Sequence, residues 1–360
     1  MTGVQTCALP IWISTWLGAL ADESRRASVP GVDAGVSRVA AVWPEGDGGA
    51  TVRLERAREP GTVVRWLRLG DAVEVFDFPH DPALPRLAQL VGSGRFRSAG
   101  HRLGKRAALR EVAGERFLFL RPEGTVTRAF ARVTDAYDRL AAAGLAASRP
   151  LALADDLSGW WAEAIPGHTL RPAHADAATW EALGEALARA HATHADGRAS
   201  EGSLAAAIHA GRKQVALVRL ADPVLAGELD RDLDAARELS AGTPPGRAAW
   251  IHGDLHPLQV VVGPRLVVLD WERARDGERE EDLGNFLAHL AWEAFEQAPA
   301  AWTAFLRGYA RSGGAGESLR IAVHARAALA RVRAIHGWRD GGRVLARDTA
   351  RWQAWQRELA

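Results

Sequence analysis

Cysteine, methionine and lysine are almost absent from this chain of 360 residues. The single cysteine, Cys7, excludes an intrachain disulfide framework and a cysteine-rich zinc site. The only methionine is Met1, and lysine stands only at Lys105 and Lys213, so nearly all positive charge is arginine. Together with abundant alanine and glycine, that bias looks like a gene of high GC content. No apolar run approaches the ~20 residues of a membrane-spanning helix, which argues against a membrane partner. A formal net charge of +1 gives neither a basic field for nucleic acid nor an acidic tail. What is present is an ordinary globular balance, 48% hydrophobic and 25% charged. The length fits about two domains, and a cytoplasmic location is expected. Oligomeric state has no signature here.

The opening "MTGVQTCALPI" resembles the translation of a sequencing adapter. A signal peptide would need a positive n-region and a longer apolar core. Residues 1–11 are therefore expected to be non-native. The rest divides into 12–165, an N-terminal extension with a β-rich lobe, and 166–360, a mostly helical lobe.

Trp12, Trp16, Leu17 and Leu20 share a helical face, so a short helix opens the chain. Between 36 and 78, apolar runs broken by glycine predict antiparallel strands joined by hairpins. A short helix follows near Asp81, then strands near 95–99, 106–112 and 116–121. "TVTRAFARVTDAYDRLAAAG" predicts a long helix that stops at Gly144. Two strands flank Ser158–Gly159. From Pro172 the pattern turns helical, with Trp180, Leu183, Leu187 and Ala190 on one face. Further helices are expected at 203–220, 222–240, 282–296, 299–311, 316–337 and 341–358. One β-hairpin around Gly263–Pro264 interrupts them. The fold class is α+β in two lobes.

Chemistry concentrates in "WIHGDLHPLQVVVGPRLVVLDWERA". His252, Asp254 and His256 form H-x-D-x-H, which in an extended strand would share one face and suit a zinc or iron ion. Pro257 follows at once, and no further cluster of ligand histidines at metal spacing is evident. A phosphoryl-transfer reading uses more of the stretch. That reaction needs a carboxylate near the acceptor hydroxyl and oxygen ligands for a charge-neutralising Mg²⁺. Asp254 follows "HG", Gln259 comes five residues later, and Asp270 ends the hairpin. The order His-x-Asp-x-x-x-x-amide, hairpin, Asp is that of a kinase catalytic core. Ordinary turn aspartates are the alternative.

"HGDLHPLQ" with "LDWERARDGEREEDLGNFLAHL" resembles the aminoglycoside phosphotransferase and choline kinase family, over roughly residues 96–310. The resemblance implies a bilobal protein-kinase-like fold and transfer of the γ-phosphoryl of ATP (or GTP), with Mg, to a small hydroxyl-bearing substrate. Asp254 then resembles the catalytic base and His252 the brace of its loop. Asp270, with Gln259, resembles the metal-binding pair. Asp282 resembles the buried acid that fixes the loop, although a helix N-cap fits it equally. "WWAEAIPG" resembles the hinge, where the backbone of Glu163, Ala164 and Ile165 would meet adenine.

This chain departs from the family at two points. Gln259 replaces the usual Asn, and Leu118 falls near the position of the phosphate-binding lysine. Arg116 and Arg121 are the nearby cations, although guanidinium is not a neutral swap. The helix after them lacks a clear glutamate partner, leaving Asp135. A catalytically degenerate kinase-fold binding or regulatory module is therefore the alternative. Trp160, Trp161 and Trp271 fall near the expected cleft. The acidic run Asp276–Asp282 is either a solvated face or a lure for an amine.

Overall fold

The computed structural model describes residues 11–21, 25, 28–33, 37–45, 49–56, 58–59, 62–193, 203–316 and 318–336. The adapter-like residues before 11, the helix expected at 341–358, and His194 lie outside them. In chain order the elements begin with helix α1 (Ile11–Ala21) and strands β1 (Ser37–Pro44), β2 (Ala50–Arg56), β3 (Val63–Leu69) and β4 (Val73–Asp77). Helix α2 (Leu87–Gly92) leads into β5 (Phe96–Arg102), β6 (Arg106–Glu111) and β7 (Arg116–Leu120). Then come α3 (Val126–Ala142), β8 (Pro150–Ala154), β9 (Gly159–Glu163) and β10 (His168–Thr169). The second half holds α4 (Ala177–His191), α5 (Ser203–Ala221), α6 (Pro223–Ala241), β11 (Ala248–Ile251), β12 (Val260–Val262) and β13 (Val267–Val268). It ends with β14 (Arg275–Glu278), α7 (Arg279–Glu293), α8 (Ala298–Arg311) and α9 (Ser318–His336). None of the described helices is long and apolar enough to cross a membrane.

The chain forms two compact units that are discontinuous in sequence. The first takes the described residues of Met1–His80, Ala207–Ala235 and Ala330–Glu358. Its sheet is an antiparallel meander in the order β1-β2-β3-β4. Both faces of its middle strands are covered: Val52 and Leu54 on β2 are fully buried, as are Leu67 and Leu69 on one face of β3 and Trp66 on the other. The helical part of this unit is equally apolar inside, with Val215, Leu217, Leu229 and Leu233 buried. Arg333 is almost fully buried and faces Asp232 at 3.4 Å and Glu228 at 3.6 Å. A buried cation needs such partners, because desolvation otherwise exceeds what packing returns.

The second unit takes the described residues of Asp81–Ala206 and Ala236–Leu329. Its sheet runs β5-β6-β7-β9-β8, antiparallel at every pairing. Leu109, Leu118 and Leu120 point into its core. Ahead of it, buried Asp81 accepts hydrogen bonds from His101 (2.9 Å) and the Gly104 amide (2.8 Å). Burial alone would push Asp81 up, but these donors and the Ala83 amide hold its carboxyl below the usual range. In the helical part, α4 and α8 pack closely. Gly308 allows this, since a Cβ there would meet the Glu181 carbonyl at 1.9 Å. Three short strands were missed by periodicity: β10, which pairs with β12, and the β11–β14 pair.

Candidate active site

The loop after β11 carries His252, Gly253 and Asp254, and its shape is set from below by one acid. Asp282, in the first turn of α7, is fully buried. Its carboxylate accepts from the His252 amide (2.6 Å), the Gly253 amide (2.8 Å) and His191 Nε2 (3.2 Å). Burial pushes its pKa up, but hydrogen bonding to His191 and the loop amides outweighs that and holds Asp282 ionised, below its ordinary value. The N-cap of α7 is Glu278, so Asp282 is the buried acid rather than a cap. Gly253 sits at φ +77°, and a Cβ there would meet the Arg273 carbonyl at 2.8 Å.

His252 is also fully buried. Its Nε2 donates to the Leu269 carbonyl (2.7 Å), while Nδ1 accepts from the Asp254 amide (3.3 Å). Both ring nitrogens are thereby spent on the loop, so the His252–Asp254–His256 metal cage is not assembled. His252 holds Asp254 in place instead. The Asp254 carboxylate is partly open and lies 3.1 Å from the Arg273 guanidinium.

Gln259 and Asp270 stand at the two ends of the β12–β13 hairpin. The Leu269 amide bonds the Gln259 carbonyl (2.8 Å) and closes the ribbon between them. Asp270 adopts a left-handed backbone at φ 62°, uncommon for a residue with a Cβ. Gln259 Oε1 is buried with no hydrogen-bond partner among the described residues, while its Nε2 lies 3.1 Å from His256 Nε2. An orphaned amide oxygen and a carboxylate on the same short hairpin are all-oxygen donors, of the type that fits Mg²⁺. Burial pushes the His256 pKa down, against the opposing charges of Asp254 and Asp270.

The cation on Asp270 comes from 164 positions earlier in the chain. Arg106, first residue of β6, meets the two Asp270 oxygens at 2.9 and 3.1 Å and Glu272 at 3.7 Å. Arg106 lies in "HRLGKRAALR", the stretch that the family resemblance puts at the phosphate-covering hairpin, but nothing in the sequence singles it out from its neighbours. Arg121 pairs with Glu272; burial, and then the charge of Arg106, push its pKa down to about 10. Arg116 is engaged elsewhere, on Glu111 (3.1 Å) and over the Trp161 ring (4.5 Å). Leu118 is fully buried, and Asp135 pairs with Arg139 on an exposed face of α3.

In the segment expected to be the hinge, the Glu163 amide bonds the Arg149 carbonyl (2.9 Å) and the Glu163 carbonyl accepts from Ser148 Oγ (2.7 Å). The Ala164 amide bonds the Glu115 carbonyl (2.7 Å). The Ala164 carbonyl and the Ile165 amide are not spent on these bonds. Trp160 and Trp271 belong to the core, stacked on Phe119 (5.3 Å) and Trp250 (4.8 Å). The acidic run is not a solvated face. Glu278 pairs with buried Arg320 (2.7 Å) and His324 (2.9 Å), and buried Glu280 caps the Arg247 amide (2.9 Å).

A five-stranded antiparallel sheet with one helix, then helices carrying an Asp loop and an Asp-ended hairpin, is the protein-kinase-like phosphotransferase architecture. A family model described as the phosphotransferase enzyme family matches residues 97–322, more than half of the chain. The chain belongs to that family. Among solved structures it is similar to a choline kinase from Cryptosporidium parvum at 12% identity and TM-score 0.52, covering 73% of this chain and 89% of that one. An ethanolamine kinase from Plasmodium vivax matches at 11% identity and TM-score 0.51, covering 74% and 84%. A spectinomycin phosphotransferase, solved with ADP and spectinomycin, matches at 14% and TM-score 0.50, covering 66% and 80%. These likenesses concern the fold. No curated protein matches in a sequence search.

Proposed function

We infer that this protein is an ATP- or GTP-dependent kinase that phosphorylates a hydroxyl of a small molecule. The observation that carries the reading is the grouping of Asp254, Gln259 and Asp270 on one loop and hairpin, with Gln259 Oε1 buried and unpartnered. Asp254 orients the acceptor hydroxyl and takes its proton as the oxygen attacks. Asp270 and Gln259 hold Mg²⁺, whose part is to offset charge on the transferring phosphoryl group. Arg106 and Arg121 stand where a phosphate chain would meet cations and take over from the absent lysine. The Ala164 carbonyl and Ile165 amide, beside Glu163, face the base. That one of the similar folds was solved with ADP supports a nucleotide co-substrate. The lobe boundary belongs to the same reading: it falls after Ile165, between β9 and β10.

The test is a thermal-shift titration of ATP and GTP with and without Mg²⁺, followed by turnover assays on a panel of amino alcohols and aminocyclitols. Metal-dependent stabilisation with turnover is expected. Asp254→Ala is expected to keep the nucleotide shift and lose turnover by at least a hundredfold, the scale of general-base catalysis, about 10²–10⁴. A well-folded chain with no nucleotide affinity at millimolar concentration overturns the reading in favour of a degenerate binding module.

A further inference from the structure

Three side chains beside the catalytic loop serve no purpose in the reaction above. His256 lies on the loop, while His289 and Glu293 lie four residues apart on α7 and so share one face. One ligand atom from each residue lies within 4.8 Å of the other two, and all three side chains are half-buried. The His256 and His289 rings are 4.8 Å apart at 28°. His256 Nδ1 is buried with no hydrogen-bond partner among the described residues.

We propose that His256, His289 and Glu293 form a binding site for a borderline divalent cation of the zinc class, distinct from the oxygen site of Gln259 and Asp270. Two imidazoles and one carboxylate are a nitrogen-rich set, which suits Zn²⁺ and disfavours Mg²⁺. With the Gln259 amide nitrogen 3.1 Å from His256 Nε2, a cation on Nδ1 requires the ring proton to sit on Nε2 and the Gln259 amide to turn, so that one lone pair of Oε1 accepts it. Tetrahedral bonds of about 2.0–2.1 Å bring ligand atoms to roughly 3.3 Å from one another. A closure of about 1.5 Å from the observed spacing, by side-chain rotation, reaches that geometry. Three protein ligands leave the fourth position to water. The ion would pin the catalytic loop to α7, a link that now runs through Asp282 and through Asn285, whose Nδ2 donates to the Leu255 carbonyl (2.7 Å).

The experiment is a zinc titration of the tag-free full chain against a chromophoric chelator, with thermal melting in parallel. One equivalent should bind and raise the melting temperature. His289→Ala and Glu293→Gln should each weaken binding at least tenfold and abolish the zinc-induced shift. Asp270→Ala, which strikes only the magnesium site, should leave zinc affinity unchanged. Melting of each zinc-free variant near the parent's midpoint shows that the fold is kept. Zinc affinity untouched by His289→Ala and Glu293→Gln overturns the proposal, as does its loss in Asp270→Ala. Failure of kinase activity alone does neither, so the two readings stand or fall separately.

Discussion

Arg106 reaches Asp270 across 164 positions of sequence and grips both carboxylate oxygens. The pair is too exposed to matter much for stability, since solvent screens it. On the proposed function its importance is chemical: Arg106 occupies the oxygens that a metal would need, and would have to let go for the metal to bind. Once released it is placed to meet phosphate, and its forked donors suit that task. Arg106→Ala therefore has two expected effects of opposite sign. The magnesium concentration for half-maximal activity falls, because Asp270 loses its competing cation. At saturating magnesium, kcat/KM falls about tenfold or more, the ~1.4 kcal/mol of one lost transition-state contact. Steady-state kinetics over a magnesium series checks both. An unchanged magnesium dependence would show that Arg106 does not compete for Asp270.

The start of α7 does more than its length suggests. Glu278 ends β14 at the N-cap position of α7, and Arg320 and His324 of α9 close on its carboxylate. Burial works against its charge, but these donors win and hold the Glu278 carboxyl down to about 2 from an ordinary 4.5. A depressed carboxyl contributes stability above its unfolded pKa and loses it as pH falls toward the folded one. The stabilisation is therefore complete above about pH 4.5 and is lost between there and about pH 2. In Glu278→Gln the acid limb of a stability–pH curve should flatten across that window. Glu278→Ala should cost about 3–5 kcal/mol, because it leaves a buried guanidinium unpaired. Chemical denaturation at pH 7 measures it.

The same region shows why some elements were legible in sequence and others were not. The hairpin with Asp254, Gln259 and Asp270 is local, so its spacing survives in one dimension. Long amphipathic runs such as that of α4 announce themselves by period. The strand "RDGE" of β14 has little β propensity and exists because "AAWI" of β11 pairs with it. The acids of 276–282 look like surface until Arg320, His324 and His191 arrive from distant helices. Arg106 and the His289–Glu293 pair are invisible for that reason: their partners are set by tertiary packing, not spacing.

At the scale of the molecule, the family match and the compact units do not coincide. The match covers residues 97–322, which includes Ala207–Ala235, a segment that belongs to the first unit with the β1–β4 sheet. Gln214 of α5 donates to the Val42 carbonyl of β1 within that unit. A chain begun at residue 81 would keep the whole family match yet strip this segment of its sheet. Val215, Leu217, Leu229 and Leu233 are each fully buried within this unit and are expected to lose cover when the sheet goes. At roughly 1.5–3 kcal/mol per apolar side chain, four such losses amount to roughly 6–12 kcal/mol. That rivals the whole stability of a typical domain, about 5–15 kcal/mol. The shortened chain is therefore expected to aggregate, or to melt far below the full chain, despite carrying every residue of the catalytic loop and hairpin. Size-exclusion chromatography and thermal melting decide it. A monomeric chain from residue 81 with an unchanged midpoint would show that the first unit's helices need no sheet, and that the family core stands without the meander before it.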